Sequence, residues 1–243
     1  MKKVLLIDIS NSFTKICLAA GESLSRVKRL PTPSLDASQL RNLYSTAKLD
    51  GVVLSSVVPE KSSAVHAAFT RVLEVGAGLD LGVGIDYPAP RTIGADRLAN
   101  AAACAGLHGV PGIVVDFGTA VTFDVISPAG DYIGGVIAPG LNAMTSYLHD
   151  RTALLPNIKL REPASAVGRS TRDAMLSGAV HGYRGLVKEI LCQICSESFP
   201  KKRPRILATG GDAELIAGRT GLFDIVDPLL TLRGLLVIAN RNL

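Results

Sequence analysis

The stretch IVVDFGTAVTFD (residues 113–124) decides the fold, since an apolar run ends on Asp116, turns through glycine and threonine, and becomes apolar again. The stretch VLLIDISNSFTKICLA (residues 4–19) does much the same around Asp8. Each pattern predicts a strand that ends in a carboxylate, a tight turn of small residues and a second strand. The two copies indicate an internal duplication rather than a short-period repeat.

The composition favours an α/β fold with a sizeable core. Of the 243 residues, 47% are hydrophobic, 19% are charged and none is Trp, so the core must be built from Leu, Ile, Val and Ala. Such a core suits mixed sheets flanked by helices. A break of glycine and proline at 109–112 predicts two domains, residues 1–110 and 111–243. The runner-up fold, a doubly wound dinucleotide-binding sheet, lacks its G-x-G-x-x-G turn here.

The spacing of apolar residues also places the main helices. The pattern predicts helices over 36–48, 60–74, 171–198 and 227–243.

The net charge of +5 does not by itself indicate a nucleic-acid partner. Lys and Arg are scattered apart from KKRPR at 201–205, so we expect an anionic small molecule and no nucleic acid. The four cysteines lack the spacing of a metal site. The apolar opening stops too early at Asp8 for a signal peptide, and no run reaches membrane-spanning length. We therefore expect a cytoplasmic protein with no membrane partner.

The two strand-end turns have the chemistry of phosphate binding. Their backbone N–H groups and hydroxyls are the donors that phosphate oxygens need, and their carboxylates suit Mg²⁺. Two such turns facing each other across a cleft would clamp a polyphosphate. The alternative for each turn is an ordinary strand end with a satisfied aspartate. The residues concerned are Asp8, Asn11, Ser12 and Lys15 in the first turn, and Asp116, Gly118 and Thr119 in the second.

Two further segments carry candidate chemistry. In GADR (94–97), Asp96 is either an acidic residue favoured by the helix dipole, with a solvated Arg97 beside it, or a base for a substrate hydroxyl with a cation beside it. In ATGGDAEL (208–215), the glycine pair lets a ligand approach the backbone, while Asp212 has the alternative role of an ordinary helix N-cap.

In order along the chain, the segments DISNSFTK, YPAPRTIGADRLANAAA, VVDFGTAVTFDVI, YIGGVIAPGL, GRSTRDAMLSG and ATGGDAELI resemble those of a type III pantothenate kinase. The resemblance runs from about residue 4 to residue 239. It implies duplicated ribonuclease H-like domains of the actin-like ATPase kind, with mixed sheets flanked by helices around a central cleft. It also implies that ATP phosphorylates pantothenate in the first step of coenzyme A synthesis.

The resemblance further implies roles for single residues. Asp96 matches the general base, and Asp116 matches the ligand of a monovalent cation, K⁺ or NH₄⁺. The ATP-binding positions are Asp8, Ser10, Asn11, Ser12, Lys15, Gly118 and Thr119. The pantothenate-binding positions are Tyr87, Gly94, Ala95, Asp96, Arg97 and Thr171. Members of the family need Mg²⁺ and are usually homodimers, in which residues of the partner subunit contribute to the substrate site.

The first motif departs from the family at Ser10, where glycine is usual. If the turn needs a positive φ there, serine destabilises that conformation by about 1 kcal/mol or more and weakens ATP binding. In that case the substitution Ser10→Gly should lower the KM for ATP. A second hypothesis is a nucleotide-binding accessory or regulatory protein of the same fold without kinase activity. The presence of Asp96, Asp116 and Thr119 favours the enzyme.

Overall fold

The computed structural model describes residues 2–44 and 48–243, and the chain folds into two compact units. The first unit comprises the described residues up to Gly109 together with Gly130–Ile133 and Leu229–Leu243, and the second comprises Val110–Ala129 and Gly134–Pro228. The predicted domain ranges, 1–110 and 111–243, stay a prediction.

The strands and helices alternate along the chain. The strands are β1 (Lys3–Ile9), β2 (Phe13–Ala20), β3 (Ser23–Leu24), β4 (Lys28–Pro31), β5 (Gly51–Ser56), β6 (Val72–Glu74), β7 (Gly84–Ile85), β8 (Gly112–Phe117), β9 (Ala120–Ile126), β10 (Asp131–Pro139), β11 (Arg205–Gly210) and β12 (Ile225–Val226). The α-helices are α1 (Ala37–Tyr44), α2 (Pro59–Ala68), α3 (Ala95–Ala103), α4 (Leu141–Arg151), α5 (Thr171–Ser198), α6 (Ala213–Ala217) and α7 (Leu230–Asn242).

The two units repeat one strand order. In the first unit the order is β4, β2, β1, β5, β6, and in the second it is β10, β9, β8, β11, β12. The strand that carries the aspartate is central in each unit, antiparallel to its hairpin partner and parallel to the strand on its other side. The predicted duplication and the α/β class, with mixed sheets flanked by helices, are therefore confirmed.

Strand β1 separates two apolar clusters of the first unit. Its side chains alternate, so Val4 and Leu6 pack with α3 and α7, whereas Leu5 and Ile7 pack with α1 and α2. Asp8 continues the series of Val4 and Leu6 and therefore lies on the face that α3 covers.

Most of the helix predictions hold, with one correction. The long helix predicted over 171–198 and the closing helix predicted over 227–243 are confirmed as α5 and α7. The helix predicted over 60–74 is wrong beyond α2, because the backbone turns extended at Phe69 and Val72–Glu74 joins the sheet parallel to β5.

The helix predicted over 36–48 corresponds to α1, and residues 45–47 of that prediction lie outside the described residues. Across the described ranges, every helix is too short or too polar to cross a bilayer.

Helices α3 and α7 approach each other closely at backbone level. A Cβ atom on Gly234 would overlap the carbonyl oxygen of Ala99. One turn earlier in α7, the buried hydroxyl of Thr231 donates a hydrogen bond to Asn100 Oδ1 at 2.9 Å. The last helix of the chain is thus fitted onto the helix that begins with the GADR motif.

We expect Gly234→Ala to lower the free energy of unfolding by about 1–3 kcal/mol, because the added methyl group must push α7 away from α3. The measurement is the thermal unfolding midpoint. Gly76→Ala is the matched control, since a Cβ at Gly76 would meet no atom within 4 Å. Equal midpoints for the two variants would contradict the close packing described above.

Candidate functional site

Asp8 is a buried carboxylate at the end of β1, with only 3% of its surface exposed. Ser55, opposite Asp8 on the parallel strand β5, donates its hydroxyl proton to Oδ1 at 3.0 Å. Ser10 Oγ donates to Oδ2 at 3.5 Å. These hydroxyls offset part of the cost of burying a charge, which is high for a carboxylate without partners.

The turn between β1 and β2 is tight and partly open to solvent. The backbone N–H of Ser10 donates to the carbonyl of Phe13 at 3.2 Å and closes the turn. Asn11 and Ser12 at its tip are exposed, and Lys15 on β2 lies directly opposite Asp8. The structure therefore brings the predicted residues of the first turn together at one end of β1.

The predicted strain at Ser10 is absent. Within the described chain, positive φ angles occur only at glycines, so the turn does not require the left-handed conformation at Ser10. Its carbonyl oxygen instead accepts a hydrogen bond from the Thr32 hydroxyl at 2.7 Å. The expectation that glycine would relieve strain at this position is wrong.

The GADR motif forms the start of α3. Gly94 is the N-cap, Ala95 is buried in the core, and Asp96 lies in the first turn. Oδ1 of Asp96 accepts a hydrogen bond from the backbone N–H of Arg97 at 2.8 Å. A Cβ on Gly94 would lie 2.6 Å from the same oxygen, so glycine gives this carboxylate room.

The start of α3 lies beside the carboxyl ends of the central strands. A Cβ on Gly94 would be 3.7 Å from Cγ1 of Val57, which follows directly on β5. Strand β5 pairs with β1, and α3 covers the face of the sheet that carries Asp8. Asp96, at the start of α3, therefore lies on the same side of the sheet as Asp8.

Arg97 is not simply solvated, as the alternative reading of GADR supposed. Its guanidinium carbon lies 5.7 Å from the ring centroid of Tyr132, which is 1% exposed. Tyr87 packs edge-on against the same ring, with centroids 6.1 Å apart. Tyr132 therefore joins two predicted substrate residues; sequence reasoning assigned it no role, although it begins the quoted motif YIGGVIAPGL.

In the second unit, Asp116 occupies the position that Asp8 has in the first. It lies on β8, opposite Thr122 of β9 and Thr209 of β11. A Cβ on Gly210 would be 2.5 Å from Asp116 Oδ1, and Gly210 has a φ of +96°. Both the close approach and the left-handed backbone require glycine there.

Thr209 is the counterpart of Ser55, since each pairs in register with the aspartate of its sheet. The hydroxyl of Ser55 donates a hydrogen bond to Asp8. Thr209 Oγ1, in contrast, is buried and has no hydrogen-bond partner among the described residues. An unsatisfied buried hydroxyl points to a missing polar group, because leaving one unpaired is costly. Only its place before the glycine pair could have signalled this residue.

The turn after Asp116 is exposed and supported from one side. Gly118 and Thr119 form its tip, and the carbonyl of Thr119 accepts a hydrogen bond from the N–H of Gly140 at 3.1 Å. The buried Tyr183 hydroxyl donates to the carbonyl of Pro139 at 3.1 Å. Burial raises the pKa of Tyr183, so its hydroxyl remains a donor at neutral pH.

Two remaining candidates lie in the second unit. Thr171 is the exposed first residue of α5, next to the Ser170 cap, whose hydroxyl oxygen accepts a hydrogen bond from Asp173 N at 3.1 Å. Asp212 precedes α6, but its side chain makes no capping hydrogen bond. Asp212 thus occupies the predicted N-cap position without the side-chain hydrogen bond of an ordinary cap.

Comparisons by sequence with known proteins point to a single family. A family profile described as type III pantothenate kinase matches residues 4–193. A curated type III pantothenate kinase of Akkermansia muciniphila is 49% identical over 241 residues, which cover 98% of this chain and 99% of that relative.

Two solved structures show the fold alone. A Baf family protein of Campylobacter jejuni, described as a transcriptional activator, has a TM-score of 0.63 at 24% identity over 97% of both chains. Component A of the (R)-2-hydroxyglutaryl-CoA dehydratase of Acidaminococcus fermentans has a TM-score of 0.53 at 12% identity, covering 98% of this chain and 96% of that one. Together with the two mixed sheets described above, these likenesses confirm the predicted α/β fold.

Because Ser10 is unstrained, we expect Ser10→Gly to leave the KM for ATP unchanged or to raise it. The variant should also lower the free energy of unfolding by about 0.5–1 kcal/mol, since glycine adds freedom to the unfolded chain. Steady-state kinetics and thermal unfolding measure the two effects. Ser10→Ala is the control, because it removes the hydroxyl without adding backbone freedom. A lower KM in the glycine variant alone would restore the strain hypothesis.

Proposed function

Because the chain belongs to the type III pantothenate kinase family, we propose that Asp96 is the general base of its reaction. The reaction is the ATP-dependent phosphorylation of pantothenate to 4'-phosphopantothenate, the first step of coenzyme A biosynthesis. The accessory-protein alternative is not favoured. The observation that supports this role is the position of Asp96 at the start of α3, the helix that packs on the same face of the sheet as Asp8.

In the proposed mechanism the primary hydroxyl of pantothenate attacks the γ-phosphorus of ATP. A bond forms between that oxygen and phosphorus, the bond from phosphorus to the β–γ bridging oxygen breaks, and ADP leaves. Asp96 accepts the hydroxyl proton, while the N–H of Arg97 holds Oδ1 in place. Since the transition state of such transfers is loose, positioning matters more than base strength.

Arg97 is the proposed partner of the pantothenate carboxylate. Its guanidinium already rests against Tyr132, so less side-chain freedom is lost when the substrate binds. Tyr87, 36% exposed, lies against the same ring and offers its other edge to the substrate. Gly94, Ala95 and Thr171 keep their predicted substrate roles as part of this proposal.

The phosphates of ATP are assigned to the two strand-end turns. The proposed ATP-binding residues are Asp8, Ser10, Asn11, Ser12, Lys15, Gly118 and Thr119. Asp8 fits Mg²⁺, because a hard cation prefers carboxylate oxygens and usually takes one or two of them with substrate phosphates. No cluster of three or more acidic, histidine or cysteine side chains suited to a metal occurs in the described ranges, which fits an ion held largely by phosphate. Bound Mg²⁺ would neutralise charge on the phosphates.

Asp116 fits the proposed monovalent cation, K⁺ or NH₄⁺. Three oxygen-bearing groups are available there: its own carboxylate, the carbonyl of Phe117 and the unpartnered hydroxyl of Thr209, which pairs in register with Asp116. Oxygen-only sets of carboxylate and carbonyl suit hard cations. A cation held there would give Thr209 Oγ1 the partner that it lacks.

A homodimer is supported by an apolar surface of the second unit. Five large apolar side chains within residues 137–167 are exposed, and exposed apolar groups are a feature of association surfaces. They are Ile137, Met144, Tyr147, Leu154 and Val167. On α5, Gly178, Gly182 and Gly185 share one exposed helix face, where a Cβ would meet nothing within 4 Å. A second copy could approach closely there. We place the reaction in the cytoplasm, where ATP is available.

The direct test is a coupled assay of ADP release with pantothenate, ATP, Mg²⁺ and K⁺. We expect turnover that depends on pantothenate, and Asp96→Asn should reduce it by about two to four orders of magnitude, the usual range for a lost general base. Glu60→Gln is the matched control, because Glu60 is an exposed acid in the first turn of α2 in the same unit. Near-normal turnover in Asp96→Asn, with a circular dichroism spectrum like that of the wild type, would show that Asp96 is not the general base.

The dimer proposal is tested with Leu154→Asp combined with Tyr147→Asp. Both side chains are more than half exposed, so the fold should survive while a charged surface disfavours association. We expect a halved mass in sedimentation analysis and a loss of kcat/KM for pantothenate. Leu107→Asp, at an exposed leucine of the first unit, is the control. A monomeric wild type, or an intact dimer in the double variant, would contradict this surface.

A further inference from the structure

Arg29 lies in register with the residues of the first turn. It is opposite Lys15 across the β2–β4 pair, and Lys15 is opposite Asp8 across the β1–β2 pair. Directly opposed residues of antiparallel strands point to the same face. Asp8, Lys15 and Arg29 therefore form one row across three strands.

The packing of neighbouring residues identifies the face. Val27 packs with the cluster that contains Val4 and Leu6, and Arg29 follows Val27 by two residues. Lys28, on the opposite face, lies over the ring of Tyr44, with Nζ 5.0 Å from its centroid. Arg29 thus shares the face of Asp8 and α3, whereas Lys28 does not.

The side chain of Arg29 is directed toward the turn. Its guanidinium carbon lies 3.6 Å from the ring centroid of Phe13, the residue whose carbonyl closes the turn. Phe13 is 39% exposed and so presents its ring at the surface. Stacking at this distance fixes the plane of the guanidinium.

The acidic side chain of this row, Asp8, lies opposite Lys15 and not opposite Arg29. Across the described residues, neither Arg29 nor Lys15 forms an ion pair with a carboxylate. Lys15 and Arg29 are thus two cations in register beside a turn that offers hydrogen-bond donors, and the ring of Phe13 orients Arg29. This arrangement suits the binding of an anion. A guanidinium matches phosphate because its planar fork can donate two parallel hydrogen bonds.

We propose that Arg29, held by Phe13, binds the phosphate chain of ATP and supplements Lys15 there. This inference rests on the proposed function, in which the first turn binds ATP phosphates. Arg29 is assigned to binding, so its loss should raise the KM for ATP and leave the KM for pantothenate unchanged.

The experiment compares Arg29→Gln with the wild type in the coupled assay and in calorimetric titrations with ATP, ADP and AMP. We expect about a tenfold to hundredfold higher KM for ATP, the range for losing charge-assisted hydrogen bonds. Affinity for ATP and ADP should fall more than affinity for AMP. Arg29→Lys should be intermediate, and Phe13→Leu should raise the KM for ATP several-fold by releasing the guanidinium.

Lys28→Gln is the matched control, because it removes the same charge one residue away on the opposite face. An equal effect of Lys28→Gln would show a general loss of positive charge and overturn the proposal. So would an unchanged KM for ATP, or parallel increases in the KM values for ATP and pantothenate. A wild-type protein that neither binds nor consumes ATP would instead refute the proposed function. Thermal unfolding checks that each variant is folded.

Discussion

The burial of one carboxylate at the end of a central strand is the constraint on which the first unit depends. Asp8 is the polar end of an otherwise apolar face, and it keeps its charge at low cost only with donors or a cation nearby. A shift of one residue in the register of β1 would turn Asp8 toward the apolar cluster under α1 and α2 and away from the hydroxyl of Ser55. The charge therefore specifies the register, and the register specifies the position of the turn and of α3.

The second unit meets the same constraint with different side chains. Ser55 and Thr209 occupy equivalent positions beside the two aspartates, yet only Ser55 has a partner for its hydroxyl. Gly210 adds a close approach of backbone to Asp116. The duplicated sheets thus share one geometry but differ in which side-chain oxygen atoms are free to bind a ligand. Under the proposed function, the first turn binds phosphate with Mg²⁺ and the second site binds the monovalent cation.

Local patterns predicted the parts of the structure that depend on local physics. The two hairpins, the long helix α5 and the start of α3 follow from alternation, helical period and small-residue turns. Three features needed information that no local pattern contains. Strand β6 exists because it pairs with β5, and Tyr132 matters because the fold brings it to Arg97. The backbone angle at Ser10 was inferred from the glycine usual in relatives, but the turn closes through ordinary hydrogen bonds.

The place of α7 has a consequence for biogenesis. This helix follows the second unit in the chain, yet it completes the apolar cluster of the first unit by packing on α3. During synthesis, the apolar face of the sheet that carries Asp8 is therefore covered by α3 alone, without α7, until the second unit has been made. Until α7 is available, a nascent chain of this topology exposes apolar surface of the kind that chaperones bind.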